Sequence, residues 1–173
     1  EPARSTTLFA AQKAKEAGCV ISYDPNYRAS LWKSEELAKK QMRSMIPHAD
    51  LMKISEEETL LLTDENDYQK AANVLMQSGV KIVVVTLGKL GAYVQTKQGG
   101  TLVKGFQNKA VDATGAGDAF WGGFLFQFSR CGKAPEAVTT EEAAEFADFG
   151  NAVASVCVQK HGAIPAMPDM TQV

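Results

Sequence analysis

The sequence is poor in the residues that bind metals or cross-link a chain. Its 173 residues include only two histidines, His48 and His161, and three cysteines, Cys19, Cys131 and Cys157, all widely spaced. No zinc-ligand spacing and no disulfide framework can be built from that set. Each cysteine has apolar neighbours, which predicts three buried thiols without a chemical role. Basic runs are also missing: eighteen Lys and Arg stand against twenty Asp and Glu, a formal charge of −2, which excludes a nonspecific grip on nucleic acid. No apolar stretch approaches the ~20 residues that cross a bilayer, and Glu1-Pro2-Ala3-Arg4 has neither region of a signal peptide. A soluble, cytoplasmic protein with no membrane or nucleic-acid partner is expected. No Gly-x-Gly-x-x-Gly follows an early strand, which argues against a dinucleotide-binding oxidoreductase.

What the chain does have is ordinary globular composition, 45% apolar and 22% charged, and an alternation of helical and strand patterns. Ser5 opens a helix reaching Gly18, with Leu8, Ala11, Ala14 and Ala17 on one face. Residues 19–23 then read as a buried strand. A second helix starts at Ser34 and stops near Pro47. Strands are expected at 51–54 and 81–87, with a short helix after Ser55 and another over 67–77. A hairpin pairs 92–96 with 101–105 around Gly99-Gly100, and helices over 116–131 and 140–160 complete the chain. This order predicts an α/β fold, a mostly parallel sheet with a short antiparallel hairpin, and one domain. Ligands of such sheets bind beyond the carboxyl ends of the strands, where the loops at Asp24, Ser55, Gly88 and Asp112 lie.

The densest chemistry is in Asp112-Ala113-Thr114-Gly115-Ala116-Gly117-Asp118, directly before an apolar helix. Small residues let a ligand approach the backbone, and the first helical N–H groups have no intrahelical acceptors, so the site suits an anion. Asp118 sits one turn in. It is read either as a base beside that anion or as a cap reaching back to a first-turn N–H. Gly122 and Gly123, in the interior of the same helix, point to close packing, because each costs about 1 kcal/mol relative to alanine there.

This run resembles the second signature of the ribokinase-like sugar kinases, the phosphofructokinase B-type family. The resemblance implies a three-layer αβα ribokinase-like fold and an ATP-dependent kinase. Gly115, Ala116 and Gly117 would form the anion hole for the transferring phosphoryl group, and Asp118 would take the proton from the sugar hydroxyl. It matches the C-terminal half of a family member. Residues 1–173 are then the C-terminal part of a single kinase domain, without the N-terminal half or the β lid through which two subunits often pair, and inactive alone. That the chain opens without a methionine agrees with this expectation.

Other loops extend the likeness. Asp24-Pro25-Asn26-Tyr27-Arg28 reads from its residues as a turn closed by an Asp24–Arg28 ion pair, or as a loop offering Arg28 to a phosphate or substrate oxygen. It looks like fructokinases and 2-keto-3-deoxygluconate kinases, which implies Asp24, Asn26 and Arg28 at the substrate. Ser55-x-x-Glu58 is a capping box by pattern. The family places Asn-x-x-Glu there, often after a lysine, which implies Glu58 near Mg²⁺ through water and Lys53 near nucleotide. Thr86, Gly88 and Gly91 would lie against ATP, and Asn151 would border adenine unless it is a buried amide tied to backbone. Asp112, Thr114 and Gly162 would surround a monovalent cation such as K⁺. Fructose phosphorylation is the leading expectation, with 2-keto-3-deoxygluconate as the alternative acceptor and a noncatalytic nucleotide-binding relative as the other reading.

Overall fold

The computed structural model describes all 173 residues. They divide into two compact units, Glu1–Val85 and Thr86–Val173.

In the first unit, helix α1 (Ala3–Glu16) leads to strand β1 (Ser22–Tyr23), helix α2 (Glu35–Met45), strand β2 (Leu51–Ser55), helices α3 (Thr59–Thr63) and α4 (Tyr68–Gln77), and strand β3 (Ile82–Thr86), of which Thr86 is already the first residue of the second unit. The helix starts follow side-chain chemistry. Ser34 Oγ accepts from Leu37 N, and Asp67 Oδ1 accepts from Gln69 N and Lys70 N, which satisfies N–H groups left over at each first turn. β1 and β2 pair in parallel, Ser22 with Leu51 and Tyr23 with Met52. The Asp50 carbonyl, just ahead of β2, accepts from Lys81 N and Ile82 N at the start of β3, so those two strands also run the same way. Leu51, Met52, Ile54 and Ile82 to Val85 are fully buried, and so are Ala38 of α2 and Ala71, Ala72 and Leu75 of α4. Burial on this scale, ~1.5–3 kcal/mol for each large aliphatic side chain, explains why a run such as Ile-Val-Val-Val needs no polar face.

In the second unit, strands β4 (Gly91–Thr96) and β5 (Gly99–Lys104) form an antiparallel hairpin, followed by helices α5 (Ala116–Cys131) and α6 (Thr140–Cys157). α5 begins at Gly115 and ends before Gly132, both with left-handed backbone. α6 begins with a Thr139/Glu142 capping box. The two helices share an aromatic core, with Trp121 stacked on Phe124 at 4.9 Å and Phe146 edge-on to Phe124 at 5.7 Å. They also share a glycine seam. A β-carbon on Gly123 would lie 3.0 Å from Val153 Cγ2, and one on Gly150 would lie 2.7 Å from the Phe120 carbonyl.

The chain is therefore α/β, with parallel strands and an antiparallel hairpin as expected, and several details differ. Only Ser22–Tyr23 of the anticipated 19–23 strand forms, and Ile21 N donates instead to the Asp50 carboxylate. The hairpin turns at Lys97-Gln98. Gly99 and Gly100 belong to β5, where Gly100 is needed because a β-carbon would fall 1.9 Å from the Tyr93 hydroxyl oxygen. Gly122 faces open space, so close packing explains Gly123 alone. Cys157 is buried as expected, Cys131 is half-buried and Cys19 is exposed. α1 starts at Ala3, ahead of Ser5, and α6 stops at Cys157, short of Lys160.

Candidate active site

In the first unit, the loop after β1 is bound to the end of β2 by carboxylates. Lys53, on the buried strand β2, has only 8% of its side chain exposed, and its Nζ lies 2.9 Å from Asp24 Oδ2. Asp24 Oδ1 accepts from Asn26 N at 3.1 Å, and Asn26 takes a left-handed backbone, φ 48°. One residue on, Tyr27 N donates to Glu58 Oε1 at 2.6 Å. Glu58 Oε2 accepts from both Ser55 N, 2.8 Å, and Ser55 Oγ, 3.1 Å. Both oxygens of this buried carboxylate are thus committed. Burial pushes the Asp24 carboxyl up, opposed by the hydrogen bond and charge of Lys53. Burial likewise pushes the Tyr23 hydroxyl up, with Glu58 and Asp24 adding to it.

Four of the expected residues, Asp24, Asn26, Lys53 and Glu58, are therefore brought into one network. Arg28 is not among them. Its ion pair with Asp24 is absent because Lys53 takes that place, and its exposed guanidinium donates to the Tyr27 carbonyl at 2.8 Å.

In the second unit, a cavity of about 410 Å³ is lined by Thr86, Gly88, Gly91, Ala116, Gly117 and Asn151 from the expected set. Phe106, Asn108, Phe120 and Ser155 line it as well, and sequence reasoning missed them. Ser155 was within reach of it, because a residue four after Asn151 on one helix shares its face. The Asn151 amide is tied to backbone, donating to the carbonyls of Lys104 at 3.2 Å and Val103 at 3.4 Å. Gly91 is obligatory there: its φ is 106°, and a β-carbon would lie 2.1 Å from the Val103 carbonyl oxygen.

The start of α5 stands apart in how few of its polar groups are occupied. Gly115 has φ 81°, and a β-carbon on it would fall 2.7 Å from Ala163 Cβ. Ala116 N donates to the Ala113 carbonyl, whereas the N–H groups of Gly115, Gly117 and Asp118 have no intramolecular acceptor. Asp118 is exposed, makes no hydrogen bond or ion pair, and does not cap the helix. Asp112, Thr114 and Gly162 do meet: Asp112 Oδ1 accepts from Thr114 N and Oδ2 from Gly162 N, both at 2.9 Å. A hydrogen bond from the Thr114 side chain, with those two backbone bonds, holds the Asp112 carboxyl down at about 2.

Open amides and a free carboxylate at one helix start, beside a cavity with a glycine-lined wall, fit binding of a phosphate-bearing ligand. The family profile of the pfkB carbohydrate kinases matches residues 1–170. The chain belongs to that family. It is 41% identical to probable fructokinase-4 of Arabidopsis thaliana, over 100% of this chain and 53% of that protein. It is 39% identical to fructokinase-2 of Solanum lycopersicum, over 99% of this chain and 52% of that one. The chain spans about half the length of the curated relatives it matches. Among solved structures, fructokinase from Vibrio cholerae O395 with fructose, ADP and calcium ion superposes with a TM-score of 0.90 at 31% identity, over 99% of this chain and 55% of that one. Aminoimidazole riboside kinase from Salmonella enterica, with aminoimidazole riboside and an ATP analog, gives 0.86 at 31% identity, over 99% and 57%. The family fold is thus the ribokinase-like α/β fold. No helix of the chain is long and apolar enough to cross a membrane.

Proposed function

We propose that the whole protein is an ATP-dependent sugar kinase that converts fructose to fructose 6-phosphate, with residues 1–173 as the C-terminal part of its single kinase domain. The observation that carries the reading is the start of α5, where an exposed, unpartnered Asp118 stands next to open N–H groups at the positive end of a helix. In this reading the cavity takes ATP, with Thr86, Gly88 and Gly91 along it and Asn151 shaping its wall beside adenine.

The sugar hydroxyl oxygen attacks the γ-phosphorus, the bond to the β,γ-bridging oxygen breaks, and ADP leaves. Asp118 receives the hydroxyl proton, and the N–H groups of Gly115, Gly117 and Asp118 face the charge that develops on the phosphoryl oxygens. Ala116 contributes small size rather than a donor. A weak base suffices where proton transfer comes late in a loose transition state. Asp24, Asn26 and Arg28 belong to the acceptor side, and Arg28 offers a planar donor fork to a substrate oxygen.

Direct ligation of Mg²⁺ by Glu58 does not fit a carboxylate whose two oxygens already accept three hydrogen bonds. Glu58 would hold Mg²⁺ through water, and the ion would supply positive charge to neutralise the phosphates. Asp112, Thr114 and Gly162 are close enough together to surround K⁺, since a carboxylate keeps lone pairs beyond two N–H bonds. Dimerisation through a β lid and a cytoplasmic location complete the proposal.

ADP release by the full-length protein, measured over fructose, ribose, adenosine and 2-keto-3-deoxygluconate, tests it. Fructose is expected to give the highest kcat/KM. Turnover of 2-keto-3-deoxygluconate instead would favour the second reading, in which exposed Arg28 meets a sugar acid. No turnover of any acceptor would leave a noncatalytic nucleotide-binding protein.

A further inference from the structure

We propose that Lys53 is a positioning residue which, through Asp24, fixes the backbone of the 24–28 loop and so presents Asn26 and Arg28 to the acceptor. The inference rests on the kinase reading above and assigns Lys53 to the acceptor side rather than to the nucleotide.

Two consecutive amides of the loop are held by two carboxylates. Asn26 N is held by Asp24 Oδ1 and Tyr27 N by Glu58 Oε1. Glu58 is itself anchored at Ser55. Asp24 has no such anchor on its own loop, and its second oxygen is held by the Lys53 ammonium rising from β2. Between those amides lies Asn26, in the left-handed conformation that asparagine adopts more readily than other non-glycine residues and that fixes the direction of the loop. Lys53 is therefore the far end of a chain of contacts that runs from strand to carboxylate to loop amide.

Stability alone gives little reason for the ion pair. The Lys53 side chain is 8% exposed and that of Asp24 16%. Withdrawing both charges from water costs about as much as their attraction returns, so an apolar side chain of similar volume would fill the space at least as well. What an apolar side chain cannot do is orient a carboxylate. The same burial argues against a nucleotide contact, because the ammonium is already paired and faces Asp24, with Glu58 and the Tyr23 hydroxyl as the other titratable groups near that carboxylate.

The test is Lys53→Met and Lys53→Arg in the full-length kinase, read by kinetics and by amide hydrogen exchange. Lys53→Met is expected to raise the KM for sugar about 10- to 100-fold while the KM for ATP stays within about twofold, the mark of a misplaced acceptor group. Exchange at Asn26 and Tyr27 should accelerate, and Lys53→Arg should recover most of both effects. If Lys53→Met does not fold, Asp24→Asn/Lys53→Met removes the stranded charge and is held to the same expectations. A raised KM for ATP with unchanged sugar KM would overturn the proposal. So would a folded variant with unchanged kinetics, or a raised sugar KM with unchanged exchange at Asn26 and Tyr27. Wild-type enzyme that phosphorylates no sugar would remove the kinase reading, and exchange at the two amides would still judge the positioning claim.

Discussion

Glu58 and Asp118 are both carboxylates near a helix start, and the two units employ them in opposite ways. Glu58 is buried, accepts three hydrogen bonds and holds two stretches of backbone together. Asp118 is exposed and holds nothing. The difference lies in the residue three positions before each acid. Ser55 is extended and offers both its N–H and its hydroxyl to the acid three positions on. Gly115 has no side chain and turns left-handed, so its N–H is not presented to Asp118. A glycine in that place releases the acid from structural duty, and a released acid beside open amides is available for chemistry.

Substitutions can break this comparison at several points. If the proposed kinase mechanism holds, Asp118→Asn lowers kcat of the full-length protein by ~10²–10⁴ with the KM for ATP nearly unchanged, as loss of a general base does. A variant with wild-type kcat would end that assignment. Glu58→Ala should instead act on folding, lowering stability by ~2–4 kcal/mol because it strands the N–H groups of Tyr27 and Ser55, whereas Asp118→Ala should shift it by less than ~0.5 kcal/mol. Denaturant titration of the two variants measures the contrast, and equal losses would erase it.

The paired glycines of α5 offer a finer comparison. Gly123→Ala should cost ~1–3 kcal/mol by overpacking against Val153 and Gly150, while Gly122→Ala, facing open space, should stabilise by up to ~1 kcal/mol. Opposite shifts in Tm are the expected result. The smallest effect concerns acid. Because the folded-state pKa of Asp112 is lowered from 3.8 to about 2, its contribution to stability is complete above pH 3.8 and lost as pH falls towards 2. Asp112→Asn should flatten the stability profile in that window and leave its slope near neutrality unchanged.

Much of this was readable in the chain itself, for identifiable reasons. The bounds of α5 follow from Gly115 and Gly132, since glycine marks both helix ends by its backbone freedom. β3 follows from a run of β-branched residues too apolar for any surface. The hairpin turn was misplaced because Gly99-Gly100 resembles a turn signal, and only the fold reveals that Gly100 makes room for Tyr93. The Asp24–Arg28 pair, one of two readings of that loop, does not form for a related reason: Arg28 is near in sequence, whereas Lys53 reaches Asp24 across 29 positions by a strand pairing that local spacing cannot reveal. The committed N–H of Ala116 was equally hidden, since a motif lists amides without saying which of them a turn consumes.

Gly123 and Gly150 let α5 and α6 approach until backbone nearly meets backbone, with the Val153 and Phe120 side chains closing the same contact. In the proposed kinase, this helix pair is expected to act as one body. A movement that excludes water from the proposed site would then arise outside the α5–α6 seam.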